Sequence, residues 1–433
     1  MNKLTIEEKN QLKLERLQST LNRAYKNVPF HRNRFLENHL LPENVVSLND
    51  IERLPFMDRS HLGIHYPYGL FSVPLRDIVR IHTAPGTGIN PSISGYTKAD
   101  LLIWQKLVAR SLEAAGVTSM DILQINLPPG LANWGRDYKD GAENIGASVI
   151  PNSPLSLEKT LMVLRDYKTT TLVTTLAFAE QLMDYMFESE RNPNEFNLKR
   201  IVLVGEPVGA EQIKNLEEHL HVDVWLNYGL SEIPGPAIAF ECLHHCGMHI
   251  SDDHILPEII DPVTREAVPP GQKGELVLTN LSARAFPLIR FRTGDMARFI
   301  NHSCECGSSL MTMEWLPERA DNMMIISGIK ISREQVRIYL NDALGLGGES
   351  NKNSSPEYKN LQPENEHSRN EPALEKIRHH GTEILAIELP IDDSLFSDEI
   401  KNLEKLMINT SEKLAELIGV PVKITLTEKT AHK

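Results

Sequence analysis

Between residues 79 and 227, short apolar runs alternate with amphipathic stretches of helical length, and this alternation constrains the fold more than any other feature. Strand-like runs fall at 121–126, 148–151, 171–175, 201–204 and 223–227. Helical patterns separate or precede them at 99–115, 157–167 and 178–187; the first carries Leu101, Leu102, Trp104, Leu107, Val108 and Leu112 on one stripe. Strand and helix in turn, each strand short and apolar on both faces, predict an α/β fold with a largely parallel sheet. Ahead of this region, Leu12, Leu14, Leu17, Leu21 and Tyr25 predict a helix that Pro29 closes. After residue 247 the pattern changes to runs at 259–262 and 275–279, expected as strands of an antiparallel or distorted barrel. Residues 323–326 and 329–332 flank a Gly328 turn, and 384–389, 397–418 and 422–426 predict a strand-helix-strand unit. The polar stretch 347–372, rich in Asn, Ser, Glu and Pro, predicts a disordered surface loop.

A chain of 433 residues suggests two or three domains, and 41% hydrophobic content is enough to build their cores. The net charge of −13, from 45 Lys+Arg against 58 Asp+Glu, argues against a nucleic-acid binder, which needs a cationic face. No run approaches the roughly 18 apolar residues of a membrane helix, so a soluble, cytoplasmic protein is expected. The four cysteines fall in two tight pairs, Cys242/Cys246 and Cys304/Cys306, a spacing that suits a metal clip better than a disulfide framework. Cys242, His244, His245, Cys246 and His249 offer five ligands within eight residues, and Cys304 and Cys306 add two more on a turn.

Several segments occur in an order that carries more information than any one of them. They are Arg80-Ile81-His82, Gly205-Glu206-Pro207, Asn227-Tyr228-Gly229-Leu230-Ser231-Glu232, Glu258-Ile259-Ile260-Asp261-Pro262 and Arg290-Phe291-Arg292-Thr293-Gly294-Asp295. Together they resemble the phenylacetate–CoA ligase family of adenylate-forming enzymes. The resemblance implies a large N-terminal domain over residues 1–321 and a small α+β C-terminal domain over 322–433. It implies the conversion of a carboxylate, ATP and CoA into an acyl-CoA, AMP and pyrophosphate. By the same resemblance Tyr228 stacks on adenine, Gly229 follows it in the nucleotide-binding segment, and Gly205, Glu206 and Pro207 turn beside the purine. Glu232 holds Mg²⁺, Asp295 accepts the ribose hydroxyls, and Arg292 neutralises phosphate. Arg319 precedes the domain hinge at Asp321, and Gly86, Thr87 and Gly88 lie in the phosphate loop. Homodimers are common in the family, which makes a homodimer the expectation here.

Three departures bear on chemistry. The family's phosphate loop has the form Ser-Ser-Gly-Thr-Thr-Gly-Lys-Pro, whereas this chain reads Ala84-Pro85-Gly86-Thr87-Gly88-Ile89-Asn90-Pro91. Pro85 has no N–H and Asn90 no charge, so the loop is a poor cradle for a triphosphate. The family's C-terminal Gly-Lys-Ala lysine has no counterpart in the closing Glu428-Lys429-Thr430-Ala431-His432-Lys433. The acyl-pocket segments read Pro128-Pro129-Gly130-Leu131-Ala132-Asn133-Trp134 and Thr174-Thr175-Leu176-Ala177, with Trp134 and Phe178 available either as pocket walls or as core. The expected activity is therefore that of an acyl- or aryl-CoA ligase with impaired ATP chemistry. The alternative is ATP-independent acyl transfer between CoA and an acyl carrier protein, or a non-catalytic partner in a polyketide-like biosynthetic pathway.

The family pattern also orders the metal ligands. Relatives carry a cysteine with a Gly-Met/Leu-His-Ile motif and a later Cys-x-Cys-Gly, which implies a structural zinc on Cys242, His249, Cys304 and Cys306, with Cys246 competing with His249.

Overall fold

The computed structural model describes residues 5–84, 92–153, 155–233, 235–344, 372–379, 382–391 and 400–428. Gly86, Thr87 and Gly88, and the expected loop at 347–372 apart from Pro372, lie outside the described residues.

Helix α1 (Ile6–Asn27) starts at a Thr5–Glu8 capping box and buries Leu17, Leu21 and Ala24. Pro29 ends it and also opens α2 (Pro29–Glu37), where its missing N–H costs nothing. A short α3 (Arg59–Ile64) is capped by Asp58. The antiparallel ribbon β1 (Arg80–Ala84) and β2 (Ser92–Tyr96) leads into α4 (Lys98–Ala114). The alternating region follows as β3 (Ile122–Asn126), α5 (Ala132–Ile145), β4 (Ser148–Ile150), α6 (Leu157–Asp166), β5 (Thr171–Thr174), α7 (Leu176–Glu188), β6 (Arg200–Val204), α8 (Ala210–Leu220) and β7 (Asp223–Tyr228). Its strands pair in parallel in the order β4-β3-β5-β6-β7.

Strands β8 (Ala239–Phe240), β9 (Met248–Ile250), β10 (Ile255–Ile260), β11 (Gly274–Asn280), β12 (Phe291–Ile300) and β13 (Thr312–Arg319) are antiparallel. They do not form a barrel of their own. Through the antiparallel β7–β8 pair they extend the parallel sheet to eleven strands, in the order β10-β11-β12-β13-β9-β8-β7-β6-β5-β3-β4.

The C-terminal domain has the hairpin β14 (Met323–Ile326) and β15 (Ile329–Ser332), then α9 (Arg333–Leu344). A three-stranded sheet follows from β16 (Ala373–His379), β17 (Thr382–Ile391) and β18 (Val422–Glu428), with α10 (Ile400–Ile418) between the last two. One apolar cluster joins the two parts: it runs from Trp104, Leu112 and Leu123 through Leu131 and Trp134 to Ile329, Leu385 and Leu414. Among the described residues no helix is long and apolar enough to cross a membrane.

Candidate active site and metal centre

The family-like residues converge where β7, β12 and β13 meet the C-terminal hairpin. Asp295 and Arg319 are register partners on β12 and β13, so the sheet sets them side by side. Gly294 precedes Asp295 at φ +72°, and any Cβ there would collide with the Asp321 carboxylate. Glycine is required at that position by both conformation and space.

Three donors converge on the Asp295 carboxylate. Tyr228 Oη donates to Oδ2 at 2.9 Å and Lys330 Nζ to the same oxygen at 2.7 Å, while Arg319 Nη1 donates to Oδ1. Arg319 also donates to both oxygens of Asp321 at 2.7 Å. Arg59, at the start of α3, donates to Glu232 at 2.8 Å, to Asp321 at 3.1 Å and to the Thr293 carbonyl at 2.8 Å. Arg59, Arg319 and Lys330 thus face Glu232, Asp295 and Asp321, three charges against three, in a largely buried network.

This balance sets the ionisation. Burial opposes the charged form of Asp295, but Lys330 and Arg319 outweigh it and hold the carboxyl down to about 2. Burial brings the Lys330 ammonium down to about 8, against the pull of Asp295. Burial and the neighbouring Asp295 push the Tyr228 phenol far above its ordinary range. The Tyr228 ring is fully buried and stands edge-on to Trp315 at 4.8 Å, so no base can stack on it in this arrangement.

The turn after β6 meets the C-terminal domain. Gly205, at φ +99°, lies directly against Gly328. Next to it the buried Glu206 faces Lys376 of β16 at 3.2 Å, and Lys376 also reaches Glu383 of β17 at 2.8 Å. Burial raises the Glu206 carboxyl to about 7, with Lys376 pulling the other way and Glu383 adding to the rise. Pro207 is half-buried beside this contact. A cavity of ≈ 30 Å³ in the cleft is lined by Gly130, Trp134, Gly205, Gly229, Glu232 and Lys330 among others.

The structure therefore brings Gly205, Glu206, Tyr228, Gly229, Glu232, Asp295, Arg319 and Asp321 to one cleft. Arg292 is not among them. Its guanidinium binds Glu275 at 2.5 and 2.9 Å and the Pro262 carbonyl at 3.2 Å, so its charge is engaged between β11 and β12. Two further cations reach the cleft beside Arg319, and the motifs do not single them out: Arg59 and Lys330. Arg59 directly follows a helix cap, and Lys330 is the polar position between Ile329 and Ile331 on a strand, two weak signals for a functional cation. Trp134 lines the cavity and is also core, whereas Phe178 is half-buried and does not line it.

A second cluster lies where the β8–β9 connection meets the β12–β13 loop. Neighbouring strands β8, β9 and β13 bring the two cysteine pairs together, and Gly247 and Gly307 turn the backbone at φ +93° and +71°. Cys242 Sγ lies 3.5 Å from Cys304 Sγ, and His249 Nε2 lies 3.4 Å from the sulfurs of both Cys242 and Cys306. All four ligand atoms lie within 4.8 Å of one another. A tetrahedral zinc with thiolates at about 2.3 Å and imidazole at about 2.0–2.1 Å has ligand–ligand edges of about 3.5–3.8 Å, so the set fits that ion. Cys246 is outside this quartet, and its thiol points to the His244 carbonyl at 3.3 Å.

Comparison with known proteins finds relatives among CoA ligases. Residues 144–282 match the family described as AMP-binding enzyme. The phenylacetate–coenzyme A ligase of Pseudomonas putida is 36% identical over 337 residues, 78% of this chain and 76% of that protein. Its counterpart from Thermus thermophilus is 37% identical over 330 residues, covering 76% and 74%. The Escherichia coli K12 enzyme is 34% identical over 337 residues, covering 77% and 76%. Among solved structures, 2-hydroxyisobutyryl-CoA ligase in its thioesterification state, with 2-HIB-AMP and CoA, superposes with a TM-score of 0.85 at 23% identity. That match covers 99% of this chain and 88% of the other. The same ligase in its postadenylation state with 2-HIB-AMP gives a TM-score of 0.68 over the same coverage.

Proposed function

The chain belongs to the phenylacetate–coenzyme A ligase family, acyl/aryl-CoA ligase-like adenylate-forming enzymes, and from that premise we propose that it joins a small carboxylic acid to coenzyme A. In the first step a carboxylate oxygen attacks the α-phosphorus of ATP, the bond to pyrophosphate breaks, and an acyl-adenylate forms. In the second the CoA sulfur attacks the acyl carbon, its proton leaves to solvent, and AMP departs. The observation that carries this reading is the convergence of Tyr228, Glu232 and Asp295 on one cleft closed by the C-terminal hairpin. Asp295, held ionised, is an acceptor suited to a ribose diol, and Glu232 is a carboxylate of the kind Mg²⁺ takes.

The Lys330 ammonium of the seated hairpin takes an Asp295 acceptor position that a ribose diol would use, so the first step is proposed to run with the hairpin withdrawn and Asp321 at the pivot.

Adenylation is proposed to be slow. Ala84, Pro85 and Asn90 replace the hydroxyls and the lysine that the family loop offers to phosphates. The lost cation, a charge-assisted contact of about 1.5–3 kcal/mol, corresponds to one to two powers of ten in rate. The test is acid-dependent pyrophosphate release, followed with and without CoA across short-chain and aryl acids. Slow release with thioester formation supports the proposal. Acylation of CoA or a carrier protein from an acyl thioester without ATP would replace it with acyl transfer.

The Cys242, His249, Cys304 and Cys306 quartet is proposed to hold one zinc. With four protein ligands it leaves no open coordination position, so the ion would tie the β12–β13 loop to β9 and take no part in the reaction.

A further inference from the structure

The Asp295 carboxylate is already occupied. A carboxylate offers about four lone-pair positions. Here Oδ1 accepts from Arg319, and Oδ2 accepts from both Tyr228 and Lys330. A ribose diol needs two of those positions, and Asp295 is only 1% exposed. The three donors differ in how they are mounted. Tyr228 ends β7 and Arg319 ends β13, both in the same sheet as Asp295 on β12, so they travel with it. Lys330 belongs to β15, in a separate two-stranded sheet. It is the donor that can leave without breaking the eleven-stranded sheet.

The hairpin that carries Lys330 is seated by close packing. Gly328 lies against Gly205, and the Ile329 side chain fills the space beside Gly130, where a Cβ would come within 2.5 Å of Ile329 Cδ1. While these contacts hold, the Lys330 ammonium takes one of the acceptor positions of Asp295.

We propose that Lys330 is a resident competitor for the nucleotide's ribose, so that nucleotide binding and hairpin seating draw on the same carboxylate. This inference rests on the reading of the cleft as an adenosine site. It makes Lys330 a positioning residue that controls nucleotide affinity from the C-terminal domain. By linkage, whatever affinity the nucleotide loses to Lys330, the seated hairpin loses to the nucleotide.

The experiment is AMP binding by calorimetry to wild type, Lys330→Met and Lys330→Arg, repeated with 2′,3′-dideoxy-AMP, which lacks the competing hydroxyls. Lys330→Met, of similar length and without charge, is expected to bind AMP on the order of tenfold tighter, the scale of one charge-assisted contact. Its affinity for the dideoxy nucleotide is expected to match wild type within about twofold, and Lys330→Arg is expected to keep AMP affinity near wild type. Unchanged AMP binding by Lys330→Met would overturn the proposal. Weaker binding of both nucleotides would overturn it as well and assign Lys330 to the phosphate. No AMP binding by any of the three proteins would instead reject the adenosine reading on which the inference stands.

Discussion

Gly205 and Gly328 meet backbone to backbone across the cleft: a Cβ on Gly205 would lie 2.6 Å from the Gly328 Cα, a distance that side chains do not tolerate. Both residues have positive φ, +99° and +79°. Gly205→Ala therefore adds a clash with immovable backbone to left-handed strain of roughly 1–2 kcal/mol. The expected outcome is an unseated hairpin. Arg319, whose side chain is 8% exposed in the seated state, is the reporter. Trypsin should cut after Arg319 several times faster in Gly205→Ala than in wild type, and equal rates would show that the contact does not hold the hairpin.

Arg59 is the hydrogen-bonded cation of Glu232 and a second cation for Asp321. Replacing it with Met leaves a buried carboxylate unpaired, which costs about 3–5 kcal/mol. Urea unfolding of Arg59→Met should show a loss of that size. Arg59→Lys, which keeps the charge but not the fork, should fall between the two. A loss under about 1 kcal/mol would mean that Glu232 finds water instead, in the range of an exposed pair.

The parallel half of the sheet was legible because each strand there is a short apolar run ended by turn residues. The expected 171–175 and 201–204 correspond to Thr171–Thr174 and Arg200–Val204. Helix α5 was not legible. Gly135 and Gly141 lower its propensity, yet they are where it is closely packed: a Cβ on Gly141 would sit 2.5 Å from Val108 of α4. The edge strand β16 was missed because Glu375, Lys376 and Arg378 make it read as polar. Motif order brought forward Tyr228, Glu232 and Asp295, which the fold places near one another, but order alone does not separate a candidate site from scaffold. Arg290 and Glu258, conspicuous in the same motifs, bind each other at 2.8 Å, and Arg290 also binds the carbonyls of Glu52 and Leu54, a purely structural staple. Arg59 and Lys330 are single cations without period, and only the tertiary fold shows what they face.

The sulfur cluster predicts close to one equivalent of zinc in purified protein, read by elemental analysis. Cys304→Ser should lower both zinc content and melting temperature, because Cys304 is buried at 3.5 Å from Cys242. Cys246→Ser should keep the metal, since its thiol lies outside the quartet. Retention by Cys304→Ser with loss in Cys246→Ser would redraw the ligand set.

Glu206 predicts a pH dependence with a definite sign. Its carboxyl stands at about 7 in the folded chain against an ordinary value near 4.5, chiefly from burial, and Glu383 adds to the rise while Lys376 opposes it. The folded state therefore binds this proton more tightly than the unfolded state does. The stabilisation is complete below 4.5 and is lost as pH rises through 7, at about 1.4 kcal/mol per unit of difference. Asp295 and Asp321, whose carboxyls are held low, act in the opposite sense, but only in acid below that window. Between pH 5 and 8 the stability of wild type should fall by about 2–3 kcal/mol relative to Glu206→Gln, whose amide cannot titrate. Because the groups facing Glu206 lie on β16 and β17, seating of the C-terminal domain should loosen over the same range. Tryptic cleavage after Arg319 should accordingly quicken from pH 6 to 8 in wild type more than in Glu206→Gln, once corrected for the enzyme's own pH profile. Parallel pH profiles for the two proteins would place the Glu206 proton outside the docking equilibrium and leave the Gly205–Gly328 contact as what seats the hairpin.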